Sequence, residues 1–308
     1  MKKEILDLYS DYLICSFNHV TATGLSKALD GQLSHDKITR FLSEEDFDSK
    51  QLWQLAKPVI RQYECDDAVL IFDDTLGEKP YTDENEQICW HYDHVKHRNI
   101  KGFNLLNCVY STGEVTLPVG FDLVKKPTLF SDIKTKKTKR KAEITKNELM
   151  RQRLLICQQQ QIKYRYVLND SWFSAKENMQ FIRKDLQKHF IMPLKTNRLV
   201  ALSEELKKQG QFVRVDALAW SEQTPIQAWI KGLDFPVLLH RQVFTNENDS
   251  IGMLYLACSD LDRNTSEIET IYKKRWNVEV FHKTLKSNAS LEKSPTQCVR
   301  TQSNHIFT

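Results

Sequence analysis

The sequence predicts an α/β protein with a mixed sheet, flanking helices and a helical segment at the N-terminus. Three observations support this fold class. Residues 1–65 carry apolar side chains at helical spacing, and from about residue 66 the pattern changes to short strand-like runs. Two of these runs, 68–72 and 164–168, are almost continuously apolar, as expected for strands buried on both faces. Each of the two runs leads into aspartates.

We expect the N-terminal segment 1–65 to be a helical DNA-binding domain. Its predicted core residues are Leu25, Leu29, Ile38, Phe41, Leu42, Leu52, Leu55 and Val59. A break at Asp30-Gly31 and an N-cap at Ser34 outline a helix-turn-helix, whose second helix would present Lys37, Thr39 and Arg40 to DNA. A small helical bundle that does not read DNA remains an alternative, because such bundles share this outline.

The strand region begins with residues 68–72, which end in Asp73-Asp74-Thr75. Residues 103–110 and 115–123 predict a hairpin, in which Pro118 indicates an irregular or edge strand. A helix follows, opened by a capping box with Thr145 at its start and Glu148 three residues later.

The second buried strand leads into Asp170, and a further capping box, Ser174 with Glu177, predicts another helix. Residues 190–262 then contain several strand-like runs. A third capping box, Ser266 with Glu269, predicts the start of the last long helix.

This last helix carries a polar stripe of Tyr272, Arg275, Glu279, Lys283 and Lys286, whose separations are 3, 4, 4 and 3 residues. The apolar residues Ile271, Val278, Phe281 and Leu285 lie to one side, so the helix can pack on a core while the stripe faces a cleft. A solvent-exposed amphipathic helix with intrahelical Glu–Lys pairs is the alternative.

The spacing Tyr-x2-Arg-x3-Glu-x6-Lys, filled by Tyr272, Arg275, Glu279 and Lys286, resembles the signature of bacterial insertion-sequence transposases with a DDE triad. The resemblance implies an RNase H-like, retroviral-integrase-like catalytic core. Residues 66–189 would form its first part, 190–262 a β-rich insertion before the last catalytic helix, and 263–308 the signature helix with a truncated tail.

The resemblance also implies the chemistry. Asp74, Asp170 and Glu279 would hold two Mg²⁺ ions, with Mn²⁺ able to substitute, because Mg²⁺ prefers hard oxygen ligands. Asp74 is preferred to Asp73 as the first carboxylate, because the family places Thr or another small residue directly after it; Asp73 is the fallback. The stripe residues Tyr272, Arg275, Lys283 and Lys286 would contact DNA phosphates.

The implied reaction is hydrolysis at the transposon end, followed by attack of the exposed 3′-hydroxyl on target DNA. The implied partners are inverted-repeat end DNA, target DNA and a second copy of the chain in a synaptic complex. Few residues follow Glu279. Two alternatives therefore stay open: a truncated, inactive relative that inhibits a full-length transposase, and an RNase H-fold nuclease without strand transfer.

Charge is unevenly distributed along the 308 residues. The formal net charge is only +4, yet between Lys125 and Arg153 the chain has eleven Lys and Arg against three acids. We expect this segment to contact the DNA backbone, although a solvated loop would have the same composition.

Other classes of protein are less compatible with the sequence. The N-terminus does not resemble a signal peptide and no apolar run reaches membrane-spanning length, so we expect a cytoplasmic bacterial protein that joins the nucleoid when bound to DNA. The seven cysteines include no C-x-x-C pair, which argues against disulfides and thiolate zinc sites. His91, His94 and His97 are interpreted as loop residues rather than zinc ligands.

Overall fold

The computed structural model describes residues 2–133, 136–221, 223–245 and 249–308. Its helices are α1 (Lys2–Cys15), α2 (Ala22–Ala28), α3 (His35–Glu44), α4 (Ser49–Tyr63), α5 (Lys146–Gln159), α6 (Lys176–Gln180), α7 (Glu204–Lys208), α8 (Thr265–Lys273), α9 (Trp276–Asn288) and α10 (Val299–Phe307). No helix among these residues is both long enough and apolar enough to cross a membrane.

The strands are β1 (Val69–Glu78), β2 (Cys89–Asp93), β3 (Arg98–Ser111), β4 (Thr116–Leu123), β5 (Thr128–Ser131), β6 (Thr138–Lys141), β7 (Tyr166–Asn169), β8 (His189–Leu194), β9 (Leu199–Ala201), β10 (Val213–Arg214), β11 (Ile226–Ile230), β12 (Val237–Thr245) and β13 (Ile251–Cys258). Strands β5 and β6 form a separate small hairpin.

The other eleven strands in the described part of the chain form one mixed sheet, in the order β10-β9-β11-β12-β13-β8-β7-β1-β3-β2, with β4 also pairing with β3. At its centre β1 is antiparallel to β3 and parallel to β7, and β7 is parallel to β8. This mixed α/β architecture with flanking helices agrees with the predicted fold class and is consistent with an RNase H-like nuclease fold.

Strand β1 is buried on both faces, as its continuous apolar run predicts. Leu70 and Phe72 belong to the core cluster that includes residues of α4 and α5. Val69 and Ile71 belong to a second cluster, on the other face, with residues of α8 and with Val278 of α9. Successive side chains of a strand point to opposite faces. The two aspartates that follow Phe72 must therefore also point to opposite faces.

The predicted hairpin corresponds to β3 and β4. The register shifts between Cys108 and Val109, next to the pair that Val109 makes with Pro118. Proline has no N–H to donate to a ladder, which accounts for the irregularity predicted at Pro118.

The region 190–262 is β-rich, as predicted, but its strands do not form a separate layer. Strand β8, which begins at His189, pairs with β7 inside the central sheet, and β13, β12, β11 and β9 extend the same sheet beyond it. The division of the chain at residues 65, 189 and 262 stays a prediction.

The N-terminal helices α1, α2 and α3 share a small core that includes Leu25, Ile38, Phe41 and Leu42 as predicted. The turn between α2 and α3 has positive φ at Asp30 and Gly31, and the Ser34 side chain caps α3.

Helix α4 buries a different face from the one predicted. Leu55 and Val59 are exposed, and the buried residues are Trp53 and Ile60, with Ala56 packed beside them. These three positions repeat at helical spacing and pack on the same cluster as Leu70 and Phe72, so the central sheet selects the buried face.

Two of the three predicted capping boxes are wrong. Thr145 and Glu148 cap α5 as expected. Helix α8 is instead capped by Asn264, whose side chain accepts from the Glu267 N–H and whose N–H donates to the Glu267 carboxylate. Oε1 of Glu269 lies 2.7 Å from Nε2 of His240. The hydroxyl of Ser174 donates to the Asp170 carbonyl, and α6 has no side-chain cap.

The C-terminal segment packs against the N-terminal helices. Asn304 of α10 donates to the Leu42 and Glu45 carbonyls and accepts from the Phe47 N–H. The Tyr9 hydroxyl lies 3.1 Å from Nδ1 of His305. Helix α10 therefore completes the surface on which α3 and the segment after it are packed.

We predict that Asn304→Ala destabilises the protein. The side chain is buried and satisfies three backbone groups, so its removal should lower the free energy of unfolding by about 2–4 kcal/mol. Urea unfolding followed by circular dichroism measures the change. Asn18→Ala removes the same atoms at an exposed position and should shift stability by less than about 0.5 kcal/mol. Equal effects of the two variants would contradict the docking of α10.

Candidate active site

The site lies where β1 and β7 end. These strands are parallel neighbours, with Phe72 opposite Asn169, so the residues that follow, Asp73 and Asp170, emerge at the same edge of the sheet. Asp73 points to the face covered by α8 and α9, because it shares the parity of Val69 and Ile71.

Asp73 is almost buried among charges. Its side chain is 13% exposed, and Oδ2 lies 3.6 Å from Nη1 of Arg275. The pKa of Asp73 is raised to about 7, chiefly by burial and also by the neighbouring Asp170 and Glu279 carboxylates, against the opposing effect of Arg275. This carboxyl group is only partly compensated by the protein itself.

Asp170 caps the short 3₁₀ turn that follows β7. Its Oδ1 atom accepts the Trp172 N–H at 2.9 Å. Burial raises the pKa of Asp170 above its ordinary value, and the Asp74 carboxylate adds to this shift. The hydrogen bond from the Trp172 N–H and the positive charges of Arg275 and Lys146 lower the pKa and so oppose the shift. The end of the second buried strand therefore places Asp170 near the acids that follow Phe72 of β1.

Glu279 lies in the first turn of α9, where the helix dipole favours a carboxylate. Its Oε1 accepts a hydrogen bond of 3.1 Å from Nη1 of Arg275. The same guanidinium nitrogen thus contacts both Asp73 and Glu279, which brings the carboxylates of β1 and α9 to one point.

The predicted single signature helix is two helices, which is a correction to the sequence interpretation. The backbone between α8 and α9 tightens at Lys274 and Arg275, whose N–H groups bond the carbonyls three residues earlier, those of Ile271 and Tyr272. Arg275 therefore lies at the junction of the two helices, and Glu279 lies in the first turn of the second helix, α9.

Tyr272 is buried and does not reach solvent as a phosphate ligand would. Its hydroxyl donates to the Asn169 carbonyl at 3.2 Å, directly before Asp170. Burial raises the pKa of Tyr272, so it stays a neutral donor. The contact fixes α8 against the end of β7.

Asp74, the residue preferred from the sequence, faces the other side of the sheet. Its Oδ1 accepts from Nζ of Lys146 at 2.6 Å and its Oδ2 from the Asn104 amide at 2.7 Å. The alternation of side chains along β1 is the reason, because Asp73 and Asp74 cannot both point toward α9. The structure groups Asp73, rather than Asp74, with Arg275 and Glu279.

The remaining predicted DNA ligands are dispersed. Lys283 is exposed on α9, whereas Nζ of Lys286 bonds the Leu76 carbonyl at 2.7 Å and lies 3.2 Å from Glu292. Lys37 and Arg40 are exposed on α3, and Arg40 lies 3.8 Å from Glu44.

The basic segment is partly used inside the protein. Arg153 bonds Asp122, Arg140 lies 3.2 Å from Glu84, and Lys139 bonds Asp132. The exposed members that the structure describes include Lys136, Lys137 and Lys141. Lys134 lies outside the described residues.

Sequence reasoning missed the contacts of four polar residues at this edge, of which Lys146 was counted only as part of the basic segment. Lys146 and Asn104 hold Asp74, and the Asn107 amide lies 3.0 Å from Nε2 of the buried His282. Burial lowers the pKa of His282 to about 4, so this imidazole is neutral. The only sequence signal was the position of Lys146 directly after the Thr145 cap.

The carboxylates fit a divalent cation by their chemistry. Asp73 and Asp170 are partly buried carboxylates whose raised pKa values reflect desolvation and repulsion from neighbouring carboxylates, which a bound cation would relieve. As they stand, no three His, Cys, Asp or Glu side chains in the described ranges are arranged to hold an ion. Arg275 and Lys146 now supply the positive charge.

The three histidines of the β2–β3 hairpin have different surroundings. His91 is buried, with Nε2 3.4 Å from Sγ of Cys89, and burial lowers its pKa to about 3. His94 instead packs edge-on against Tyr92, with ring centroids 4.9 Å apart.

Comparison with known proteins identifies the family of the chain. A family model described as DDE superfamily endonuclease matches residues 1–210, and one described as archaeal putative transposase ISC1217 matches residues 129–306. No curated protein matches the chain. The first model spans more than half of the chain, and together the two include both strand-end aspartates and Glu279. The chain therefore belongs to the DDE superfamily of endonucleases and is a transposase-type nuclease.

Proposed function

We propose that this protein is a DNA transposase that cleaves at transposon ends and transfers the exposed 3′-hydroxyl to target DNA. The observation that carries the proposal is the Arg275 guanidinium nitrogen that contacts both Asp73 and Glu279 beside Asp170. Two of the three carboxylates contact a single cation and the third follows the neighbouring parallel strand, and such oxygen donors suit a divalent metal once the side chains adjust around it.

We propose Asp73, Asp170 and Glu279 as the catalytic carboxylates and metal ligands. Asp74, preferred from the sequence, would then hold Lys146 in place through their 2.6 Å hydrogen bond. Two Mg²⁺ ions, or Mn²⁺ in their place, would activate the attacking oxygen and relieve charge on the leaving oxygen. The family membership and the oxygen donors support this cofactor.

The chain's own cations would orient the DNA. The planar guanidinium of Arg275 can bind a phosphate once another cation neutralises the carboxylates. Lys283 is exposed on α9, the helix that follows Arg275. Tyr272 would act as a positioning residue, because its hydroxyl ties α8 to the carbonyl before Asp170.

We further propose that α3 binds the inverted repeats at the element's ends. Lys37 and Arg40 are exposed and lie on one face of a capped helix whose opposite face is buried. Simultaneous cleavage of two ends would require a second copy of the chain in the synaptic complex, so we expect a homodimer on DNA.

The first prediction concerns cleavage. Asp73→Asn, Asp170→Asn and Glu279→Gln should each lower Mg²⁺-dependent cleavage of DNA bearing the terminal repeats by at least about 100-fold, because each removes an anionic oxygen ligand. Gel analysis of end-labelled DNA in Mg²⁺ and Mn²⁺ measures the rate. Asp185→Asn, an exposed acid in the same catalytic core, is the matched control and should leave cleavage unchanged.

Comparison with Asp74→Asn identifies the first carboxylate. Full loss of cleavage in Asp74→Asn with activity retained in Asp73→Asn would reverse the assignment. Cleavage without joining to target DNA would identify a nuclease that lacks strand transfer, and binding without cleavage in either metal would contradict the proposed activity.

The second prediction is a pH dependence of stability in metal-free buffer. The pKa of Asp73 is raised to about 7 in the folded protein. An aspartate in the unfolded chain titrates near about 4. The folded protein therefore binds a proton on the Asp73 carboxyl more tightly than the unfolded chain does. The stability that this proton contributes is lost as the pH rises from about 4 through about 7.

Asparagine does not titrate. The stability advantage of Asp73→Asn should therefore grow from pH 5 to pH 7 by at most about 1.4 kcal/mol per pH unit and become constant above pH 8. Urea unfolding of wild type and variant at four pH values measures the advantage. A constant difference over this range would show that Asp73 is not buried among the other carboxylates.

The third prediction concerns recognition of the ends. The double variant Lys37→Ala with Arg40→Ala should bind terminal-repeat duplex at least about tenfold more weakly, because two contacts to DNA are lost. Fluorescence anisotropy at fixed salt measures the affinity. Lys50→Ala with Lys57→Ala removes the same charge from exposed positions of the neighbouring α4. An equal loss in both double variants would indicate a nonspecific charge effect and contradict the role of α3.

A further inference from the structure

A cleft of about 200 Å³ lies beside the short turn that Asp170 caps. One wall is the turn after β7, with Ser171, Trp172 and Ser174, and the other is the turn between β8 and β9, with Lys195, Asn197 and Arg198. We propose that this cleft binds the phosphodiester backbone of a single DNA strand beside the catalytic centre. The inference rests on the proposed function and names a contact of the substrate with the same site.

The lining of the cleft selects an anion. It contains two basic side chains, two hydroxyls and one amide, and no acidic residue. The Ser174 hydroxyl already donates to the Asp170 carbonyl, but Ser171 on one wall and Lys195, Asn197 and Arg198 on the other can donate hydrogen bonds to phosphate oxygens. A neutral or cationic ligand would leave the positive charges of the cleft uncompensated.

Arg198 is the main evidence. Its Nε and Nη2 atoms are buried and have no hydrogen-bond partner. Burial lowers the pKa of Arg198, and the opposing effect of the Glu177 carboxylate is too small to offset this desolvation. Buried donors without acceptors are costly, and a phosphate can accept two hydrogen bonds from a guanidinium fork.

Trp172 connects the cleft to the carboxylates. Its backbone N–H is bound by Asp170, and Nζ of Lys146, the partner of Asp74, lies 4.8 Å from the centroid of its ring. The indole is 49% exposed. A strand whose phosphate lies at Arg198 would therefore pass Trp172 before it reaches Asp170.

The size of the cleft favours a single strand. About 200 Å³ accommodates one phosphate with part of its sugar, whereas a duplex presents grooves and backbones on the scale of about 10 Å. Sites for single strands combine cations along the backbone with an exposed aromatic surface, and the cleft has both.

The test measures binding without divalent metal, so that it is independent of catalysis. Arg198→Ala and Lys195→Ala are compared with Lys163→Ala, which removes an exposed charge near the opposite end of β7. Fluorescence anisotropy with a single-stranded oligonucleotide and with the duplex of the same sequence gives Kd at several salt concentrations. Thermal unfolding checks that each variant is folded, and the exposed Lys195 keeps the test valid if Arg198→Ala is not.

We expect Arg198→Ala to weaken single-strand binding roughly tenfold and to lower the slope of log Kd against log salt by about 0.7, the value for one lost phosphate contact on a single strand. Lys195→Ala should change both in the same direction, and Lys163→Ala should change neither. A purely structural role of Arg198 would not alter the salt slope.

Unchanged affinity and slope in Arg198→Ala and Lys195→Ala, or a loss confined to duplex DNA, would overturn the inference. Its failure is distinguishable from failure of the proposed function. If the wild type cleaves DNA but the cleft variants bind single strands normally, only the cleft is refuted. If binding changes as expected while no metal supports cleavage, only the proposed activity is refuted.

Discussion

The site depends on one compensated cluster of charges, in which Arg275 contacts both Asp73 and Glu279 beside Asp170. Buried carboxylates repel one another, and their proximity is possible only with a cation among them or with protons bound. The protein uses both means, because Arg275 lies between two of the acids and the pKa of Asp73 is raised to about 7. Arg275 and the proton that Asp73 binds thus offset part of the repulsion among the carboxylates.

The sheet determines which acids meet. Because β1 and β7 are parallel neighbours, Asp73 and Asp170 emerge together, and α9 crosses the face to which Asp73 points. Asp74 lies on the other face, where Lys146 and Asn104 hold it. Strand β1 thus supplies one carboxylate to each face of the sheet. Nζ of Lys146 bonds Asp74 and also lies over the ring of Trp172, which lines the cleft.

Much of this arrangement could be predicted from the sequence. The apolar runs gave the two buried strands and the order of the acids, and the side chains at Ser34 and Thr145 marked helix starts that the structure confirms. These signals are local. The face of β1 that α9 would cover, the break at Lys274 and Arg275, and the buried face of α4 depend on packing between distant elements. The spacing of residues along the chain does not contain that information, so Leu55 and Val59 were wrongly predicted to be buried and the contact of Lys146 with Asp74 was not predicted.

The two ends of the chain are coupled to the same strand as the acids. Lys79, one residue beyond β1, is buried and donates to the carbonyls of Glu292 and Ser294, in the segment that leads to α10. Helix α10 in turn bonds the segment after α3 through Asn304. The C-terminal segment therefore contacts both the end of β1, through Lys79, and the N-terminal helices, through Asn304, so its packing helps to hold these two parts of the chain together.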